Sequence, residues 1–313
     1  MATRYIVLIA LFVHCALAAL PPGYDGLSND GKRDALWSLI NARQYSGAYP
    51  TDNPGVLSMP QLFVPSFLAA RFTTVSDELG DPGRQKLIHT YGATAKVEMR
   101  MFANSTYSGV FKANHNSKGL LRLSLAKFDP EAFTPGMALK LFVRNHPSLN
   151  IIAMFSLDGQ GTNRNFLQNP FWNVIAGPSS LALKILAKAF ALSLHLLPGD
   201  STWDRPEKEE NLPLYEHACI DSDGNVPAAI RAPYRITFTP NRDLGWSAST
   251  PNDFRTHLAQ IPVGSVLQTI SVQRDVNAHE EIIGQVVTES TFVATPYNDE
   301  QLYFQHHAKR WRP

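Results

Sequence analysis

The sequence contains little cysteine and carries no excess of charge of one sign. Only two of its 313 residues are cysteine, and 28 Lys and Arg residues nearly balance 27 Asp and Glu residues, which leaves a formal charge of +1. Proteins that bind nucleic acid or an anionic membrane surface usually carry a basic excess, so we expect no nucleic-acid partner and no membrane partner. Two cysteines can form at most one disulfide bond, which is too few to stabilise a chain of this length, so its stability must come from an apolar core.

The familiar short motifs of catalysis and metal binding are also missing. There is no H-E-x-x-H, no C-x-x-C pair, no EF-hand loop, no P-loop and no G-x-S-x-G elbow. Metal-dependent hydrolysis, nucleotide hydrolysis and acyl transfer are therefore without support. His306 and His307 are adjacent near the C-terminus, but no further ligand type lies nearby in the sequence, and we interpret them as part of a solvated tail. No metal site is predicted.

The first 19 residues have the pattern of a secretory signal peptide. Arg4 gives a charged start, an apolar run extends from Tyr5 to Leu17, and Ala16-Leu17-Ala18 forms an A-x-A cleavage site. The run is shorter than the ~20 apolar residues that cross a bilayer, so an uncleaved anchor is the less favoured interpretation. We expect a secreted, extracellular protein that consists of a signal peptide (1–19) and one domain (20–313).

Two further residues are interpreted in the light of export. Cys15 lies within the signal peptide, so Cys219 alone remains, and we interpret it as a buried thiol in preference to an intermolecular disulfide. Asn104-Ser105-Thr106 is an acceptor triplet for N-linked glycosylation in a eukaryotic secretory pathway. Asn104 is therefore a predicted glycosylation site.

Short apolar runs separated by Gly, Pro and Asn predict a strand-rich chain. The 22 prolines and 19 glycines are spread along the sequence and favour many short elements. Apolar runs predict strands at Leu87–Val97, Leu120–Leu125, Met137–Val143, Asn150–Phe155, Tyr234–Thr239, Ser265–Val272, Ile282–Thr288 and Gln301–Gln305. Helical spacing of apolar residues predicts helices at Asp34–Asn41, Met59–Thr73 and Leu181–Leu197. We expect one β-rich α+β domain with helical insertions.

Three segments in a fixed order resemble motifs of the catalase family. Ile88-His89-Thr90-Tyr91-Gly92-Ala93 resembles the family's V-H-A-K-G-A segment, Arg122-Leu123-Ser124-Leu125 resembles R-F-S-T, and Gly136-Met137-Ala138-Leu139-Lys140-Leu141-Phe142 resembles G-F-A-V-K-F-Y. The resemblance covers roughly residues 62–305. It implies a catalase-like antiparallel β-barrel with a helical region wrapped around it, and a haem cofactor.

The resemblance also implies roles for individual residues. His89 stands at the place of the distal histidine, which moves a proton between the two oxygens of peroxide, and Ser124 would hydrogen-bond its imidazole. Arg122 would bind one haem propionate through its guanidinium fork. Lys86 stands where the family commonly has a second propionate-binding arginine, and it supplies the charge without the fork.

The chain departs from the family pattern at two places. The distal asparagine falls in the stretch Ile151–Ser156, where Met154 lies closest, and a thioether cannot donate a hydrogen bond to peroxide. The proximal tyrosine, in an R-x-F-x-Y-x-D-T pattern, is missing, and Tyr297, Tyr303 and His306 are the nearest substitutes. Without an axial ligand the iron is weakly held and its reactivity is untuned.

Two main hypotheses of function follow. The first is a secreted, catalase-like haem-binding protein that acts on hydrogen peroxide or an organic hydroperoxide, with His89 as acid and base. The second is a catalytically inactive catalase-fold scaffold, an extracellular binding or matrix protein, in which an apolar cavity lined by Met154 and phenylalanines holds a lipid-like ligand. A hydroperoxide isomerase like the catalase-related allene oxide synthases is a third, and it too requires the proximal tyrosine. The sequence leaves the oligomeric state open.

Overall fold

A computed structural model describes residues 20–50, 78–79, 91–125, 135–155, 171–173, 218–233, 235–244, 253–275 and 277–304. The α-helices of this part are α1 (Asn29–Asn41), α2 (Phe254–Leu258) and α3 (Pro296–Glu300). The strands are β1 (Tyr91–Met101), β2 (Asn116–Leu125), β3 (Pro135–Leu141), β4 (Leu149–Phe155), β5 (Phe171–Asn173), β6 (Arg235–Pro240), β7 (Val266–Gln273) and β8 (Glu281–Thr288).

The strands form a closed antiparallel barrel. Each strand pairs with the next along the chain, and β1 pairs with β8. Closure gives every strand two hydrogen-bonded neighbours and leaves no open sheet edge. In the register of the first four strands, Gly92 lies opposite Ser124, Ser124 opposite Gly136, and Gly136 opposite Met154.

The barrel interior is an apolar core because alternate strand residues point inward. On β1 and β2 the inward residues are small or branched, and they join one buried cluster with residues from β6 and β7 across the barrel. Members of this cluster are Ala93, Ala95, Val97, Leu121, Leu123, Ile236, Phe238, Ile270 and Val272. Phe254 and Leu258 of α2, and Phe111 from the loop between β1 and β2, belong to the same cluster. The core therefore continues into the segments that close the barrel.

One of these segments carries a buried arginine against the start of β1. Arg255 follows the N-cap residue Asp253 of α2, and its guanidinium Nη2 lies 2.7 Å from the Asp253 carboxylate. The guanidinium carbon is 4.7 Å from the ring centre of Tyr49 and 5.3 Å from that of Tyr91. Contact with two aromatic faces partly replaces the water that a buried cation loses.

The outer face of β1 and β2 is covered by helices. Here α1 contacts β2, α3 contacts β1, and the two helices contact each other. A second buried cluster lies between the helices and the strands, and it contains Leu36, Ile40, Leu120, Phe142, Tyr297 and Leu302. Both faces of β1 are thus largely buried, one in the barrel and one beneath the helices.

The structure confirms seven of the predicted strands, with ends that differ from the predicted ones by at most four residues. The prediction of a strand at Gln301–Gln305 is wrong for the part that the structure describes: residues 301–304 follow α3 with a turn at Gln301 and an isolated bridge between Leu302 and Leu79. Strand β5 was not predicted. The helix at Asp34–Asn41 is confirmed, but α1 begins earlier, at Asn29, because the Ser28 hydroxyl caps it by accepting the Gly31 N–H.

Several predictions lie outside the described residues: the signal peptide, and the helices at Met59–Thr73 and Leu181–Leu197. Across the ranges that the structure does describe, a search for a helix long and apolar enough to cross a membrane finds none. The described architecture is mostly antiparallel sheet with few helices, in agreement with the expected β-rich α+β class.

Candidate functional site

Polar side chains are buried on the outer face of β1 and β2. Thr94, Arg122 and Ser124 alternate with residues of the barrel core, so they point away from the interior. Thr94 is 0% exposed, Arg122 is 3% exposed and Ser124 is 4% exposed. Buried polar groups are costly unless they are hydrogen-bonded, so this face requires partners from the helices that cover it.

Helix α3 supplies those partners for Arg122. The guanidinium Nη2 lies 2.9 Å from Asp299 Oδ1, and Nε donates to Asn298 Oδ1 at 3.1 Å. Asp299 is 3% exposed, so both charges of the pair are removed from water. The start of α3 is fixed by Thr295, whose hydroxyl accepts the Asn298 N–H at 3.2 Å, which places the two acceptors over β2.

Glycine at position 92 allows this arrangement. The Gly92 N–H donates to Asp299 Oδ1 at 2.9 Å, and the Gly92 carbonyl accepts from Asn298 Nδ2 at 3.1 Å. A Cβ atom at this position would lie 2.7 Å from the guanidinium carbon of Arg122. Only glycine therefore lets the guanidinium lie directly against the backbone of β1.

Tyr45 completes the group that we call the Arg122 cluster: Tyr45, Gly92, Arg122, Asn298 and Asp299. The Tyr45 hydroxyl donates to Asp299 Oδ2 at 2.7 Å. Burial, and then the adjacent Asp299 charge, raise the pKa of Tyr45, so it remains a neutral donor. Asp299 accepts hydrogen bonds from all four other residues of the cluster, which compensates the desolvation of its charge.

The structure brings together three of the residues predicted from the sequence. Arg122 and Ser124 lie two positions apart on β2, and the backbone of Met154 lies on β4, two strands away in the row of Ser124. The Ser124 hydroxyl is 3.5 Å from the Gly136 carbonyl oxygen, a long contact. His89 and Lys86 lie outside the described residues, three and six positions before Gly92.

Of the proposed substitutes for the axial ligand, Tyr297 is the one whose environment is described most fully. It lies on α3, is 6% exposed, and its hydroxyl has no hydrogen-bond partner within the described ranges. Burial is the cause that raises the pKa of Tyr297. A tyrosine that ligates haem iron does so as the phenolate, which burial alone disfavours and coordination to the iron favours, so the raised pKa does not decide this role. Tyr303 is half-buried, and its N–H donates to the Glu78 carbonyl. His306 lies outside the described residues.

A second buried ion pair lies on the same outer face, further along β3 and β4. Lys140 Nζ lies 2.6 Å from the Glu78 carboxylate and also donates to Ser148 Oγ at 2.8 Å and Asn150 Oδ1 at 3.1 Å. Its ammonium lies 5.2 Å from the ring centre of Phe304. Lys140 was predicted from the sequence only as part of a strand. The feature that could have pointed to its buried charge is a lysine at an outward-facing position within an apolar strand.

One group of residues offers metal-ligating atoms. Atoms of His115, Asp221 and Asp223 lie within 4.8 Å of one another. His115 Nε2 already accepts the Ser222 N–H at 3.0 Å, and Asp221 Oδ1 accepts the N–H groups of Asp223 and Asn225. Burial lowers the pKa of His115 and favours the neutral imidazole that this bond requires. The candidate ligand atoms of His115 and Asp221 thus already accept hydrogen bonds from the backbone of the turn at residues 221–225.

The two remaining predicted features are both described. Cys219 is buried, with 4% of its surface exposed, as the interpretation of a buried thiol expects. Asn104 is exposed, and its Nδ2 donates to the Ile282 carbonyl at 2.9 Å.

Comparison of the chain with protein-family models, with curated proteins and with solved structures found no match.

Proposed function

We propose that this chain is an exported, catalase-like haem-binding protein that acts on hydrogen peroxide or an organic hydroperoxide. The observation that carries the proposal is the register of the first four strands. It sets Gly92, three residues after His89, opposite Ser124, and continues that row through Gly136 to Met154. Of these positions, the resemblance assigns His89, Ser124 and Met154 to the distal side of a haem site.

In this proposal the chain's own residues handle the proton and the charges. His89 would take a proton from one peroxide oxygen and return it to the other, while Ser124 would hold the imidazole in one orientation. Bound haem would supply the iron that polarises peroxide. Lys86 and Arg122 would attract its propionates, although the charge of Arg122 is already shared with Asp299. Met154 would make that side of the pocket apolar.

An absorption spectrum of the secreted protein, recorded with and without added haemin, tests the proposal. We expect a sharp Soret band that saturates at about one haem per chain. His89→Ala should abolish peroxide consumption, while the matched variant of an exposed histidine, His279→Ala, should leave it unchanged. A spectrum that haemin does not alter would reject haem binding and the peroxide chemistry with it.

A second candidate function is favoured by the environments of Arg122 and Tyr297. Arg122 is already paired with Asp299, and Tyr297 is buried with a raised pKa, so both residues fit a structural role. The chain would then be a haem-free extracellular scaffold that binds a lipid-like ligand. A fluorescent fatty-acid analogue provides the test. Saturable binding that haemin does not displace, together with a featureless spectrum, would support the scaffold.

A further inference from the structure

Asn104 lies in a tight turn between two exposed apolar side chains. The Ser105 N–H donates to the Phe102 carbonyl at 3.3 Å, which closes a turn with Asn104 at its third position. The Phe102 side chain is 38% exposed, and Ile282, whose carbonyl accepts from Asn104 Nδ2 at 2.9 Å, is 54% exposed. Among the described residues the large exposed hydrophobic side chains are Phe102, Val226, Val263 and Ile282, so half of them flank this one asparagine.

We propose that Asn104 carries an N-linked glycan whose first sugar packs on Phe102 and Ile282. Sugar rings have an apolar face of C–H groups, and burial of that face against an aromatic ring removes apolar surface from water on both sides. Thr106 supplies the hydroxyl that completes the acceptor triplet, and the chain contains no other N-x-S/T triplet. The inference rests on the export in the proposed function, and it is independent of haem.

The hydrogen bond of Asn104 is compatible with modification. An asparagine amide has two N–H groups. In the transfer, the N-glycosidic bond forms between Asn104 Nδ2 and the anomeric carbon of an oligosaccharide carried on a lipid diphosphate. The bond from that carbon to the diphosphate breaks, and one amide proton leaves. The remaining N–H can still donate to the Ile282 carbonyl, which would keep the sugar beside the two apolar side chains.

Occupancy is tested on the full chain, produced in a glycosylating eukaryotic host behind the host's cleavable leader. Delivery to the secretory pathway then does not depend on residues 1–19. Peptide mass analysis after treatment with a glycan-removing amidase should show Asn104 converted to Asp. Asn104→Gln should lose the carbohydrate, and Asn277→Gln, at an exposed asparagine outside any triplet, should retain it. Secreted protein without carbohydrate on Asn104 would overturn the proposal.

Packing on Phe102 is tested by unfolding in urea. Protein trimmed to a single N-acetylglucosamine should have an unfolding equilibrium constant on the order of fivefold smaller than that of Asn104→Gln. The difference should shrink in a Phe102→Ser background, where Ile282 alone remains, and persist in full in Val263→Ser, which changes an exposed apolar residue elsewhere. A difference that Phe102→Ser leaves intact would overturn the role of the ring. A glycan without a Soret band would keep this inference and reject the haem proposal.

Discussion

The guanidinium of Arg122 and the carboxylate of Asp299 form an ion pair at 2.9 Å, although the two residues are 177 positions apart in the chain. Arg122 belongs to the second strand of the barrel, and Asp299 belongs to a short helix that follows the last strand. The pair therefore fastens the segment after the barrel onto its outer face. Because both residues are almost fully buried, neither charge can turn to water when its partner is removed.

We expect Asp299→Ala to lower the free energy of unfolding by about 3–5 kcal/mol, because Arg122 would be left as a buried charge. Urea denaturation monitored by circular dichroism measures the change. Asp243→Ala, at an exposed aspartate, should stay within about 0.5 kcal/mol of the parent. The double variant Arg122→Met/Asp299→Leu should recover much of the loss. A double variant whose loss equals the sum of the losses of the two single variants would contradict a coupled pair.

Gly92→Ala should destabilise the protein by about 1–3 kcal/mol, because the added methyl group would displace the guanidinium from the backbone of β1. The measurement is the urea midpoint. Gly26→Ala is the matched control, since a Cβ at Gly26 meets no atom within 4 Å. In an Arg122→Met background the cost of Gly92→Ala should fall, because methionine is flexible and can move aside. A cost that does not change in that background would show that the strain lies elsewhere.

Seven of the eight described strands could be predicted from sequence, because each of them is a short apolar run ended by turn residues. On β2, β3 and β4 the residues that point into the barrel are apolar, as with Leu121, Leu123 and Leu139, and their alternation is typical of a strand. The segment Gln301–Gln305, which was wrongly predicted to be a strand, is also a short run that contains apolar residues. Its apolar residues Leu302 and Phe304 pack in the cluster beneath the helices instead, so composition cannot separate the two cases.

The candidate site was only partly predictable, because its contacts join distant segments. The sequence order singled out Arg122, Ser124 and Met154, and the barrel register sets them on β2 and β4, which both pair with β3. Nothing local in the sequence indicates that Asp299 meets Arg122, or that Glu78 meets Lys140. Such pairs depend on how the covering segments pack onto the barrel, and that packing carries no short-range signal.

Stability should fall as pH falls through the titration of His115. Its pKa is lowered by burial and, less strongly, by Lys112, while Asp221 and Asp223 act in the opposite direction. Between this lowered pKa and the unfolded value of about 6.5, the unfolded chain binds more protons, so stability rises with pH through that window. Protonation also removes the lone pair that accepts the Ser222 N–H.

His115→Asn isolates this contribution. At pH 8 the variant should be less stable than the parent by about 1 kcal/mol, because the bond from Ser222 is weakened. At pH 5 the free energies of unfolding of the two proteins should differ less, because protonation of His115 has by then removed the same hydrogen bond from the parent. His146 and His257 also have lowered pKa values, but they contribute equally to both proteins. A difference that is the same at both pH values would show that His115 does not titrate with folding.

Tyr297→Phe and Tyr45→Phe each remove a phenolic hydroxyl group, one without a hydrogen-bond partner among the described residues and one that donates to Asp299. The Tyr45 hydroxyl donates to Asp299, so its loss should cost about 1.5–3 kcal/mol of unfolding free energy. The Tyr297 hydroxyl is buried without a hydrogen-bond partner among the described residues, so its loss should be neutral or should stabilise the fold by about 1 kcal/mol. Urea titrations of both variants provide the comparison.

The same pair of variants decides the role of Tyr297 towards haem. If an axial ligand lies elsewhere in the chain, haemin should give the same Soret band with Tyr297→Phe as with the parent protein. Loss of the band in Tyr297→Phe but not in Tyr45→Phe would show that Tyr297 ligates the iron despite its raised pKa. Its phenolate would then have to be stabilised by the metal itself, because burial alone favours the neutral phenol.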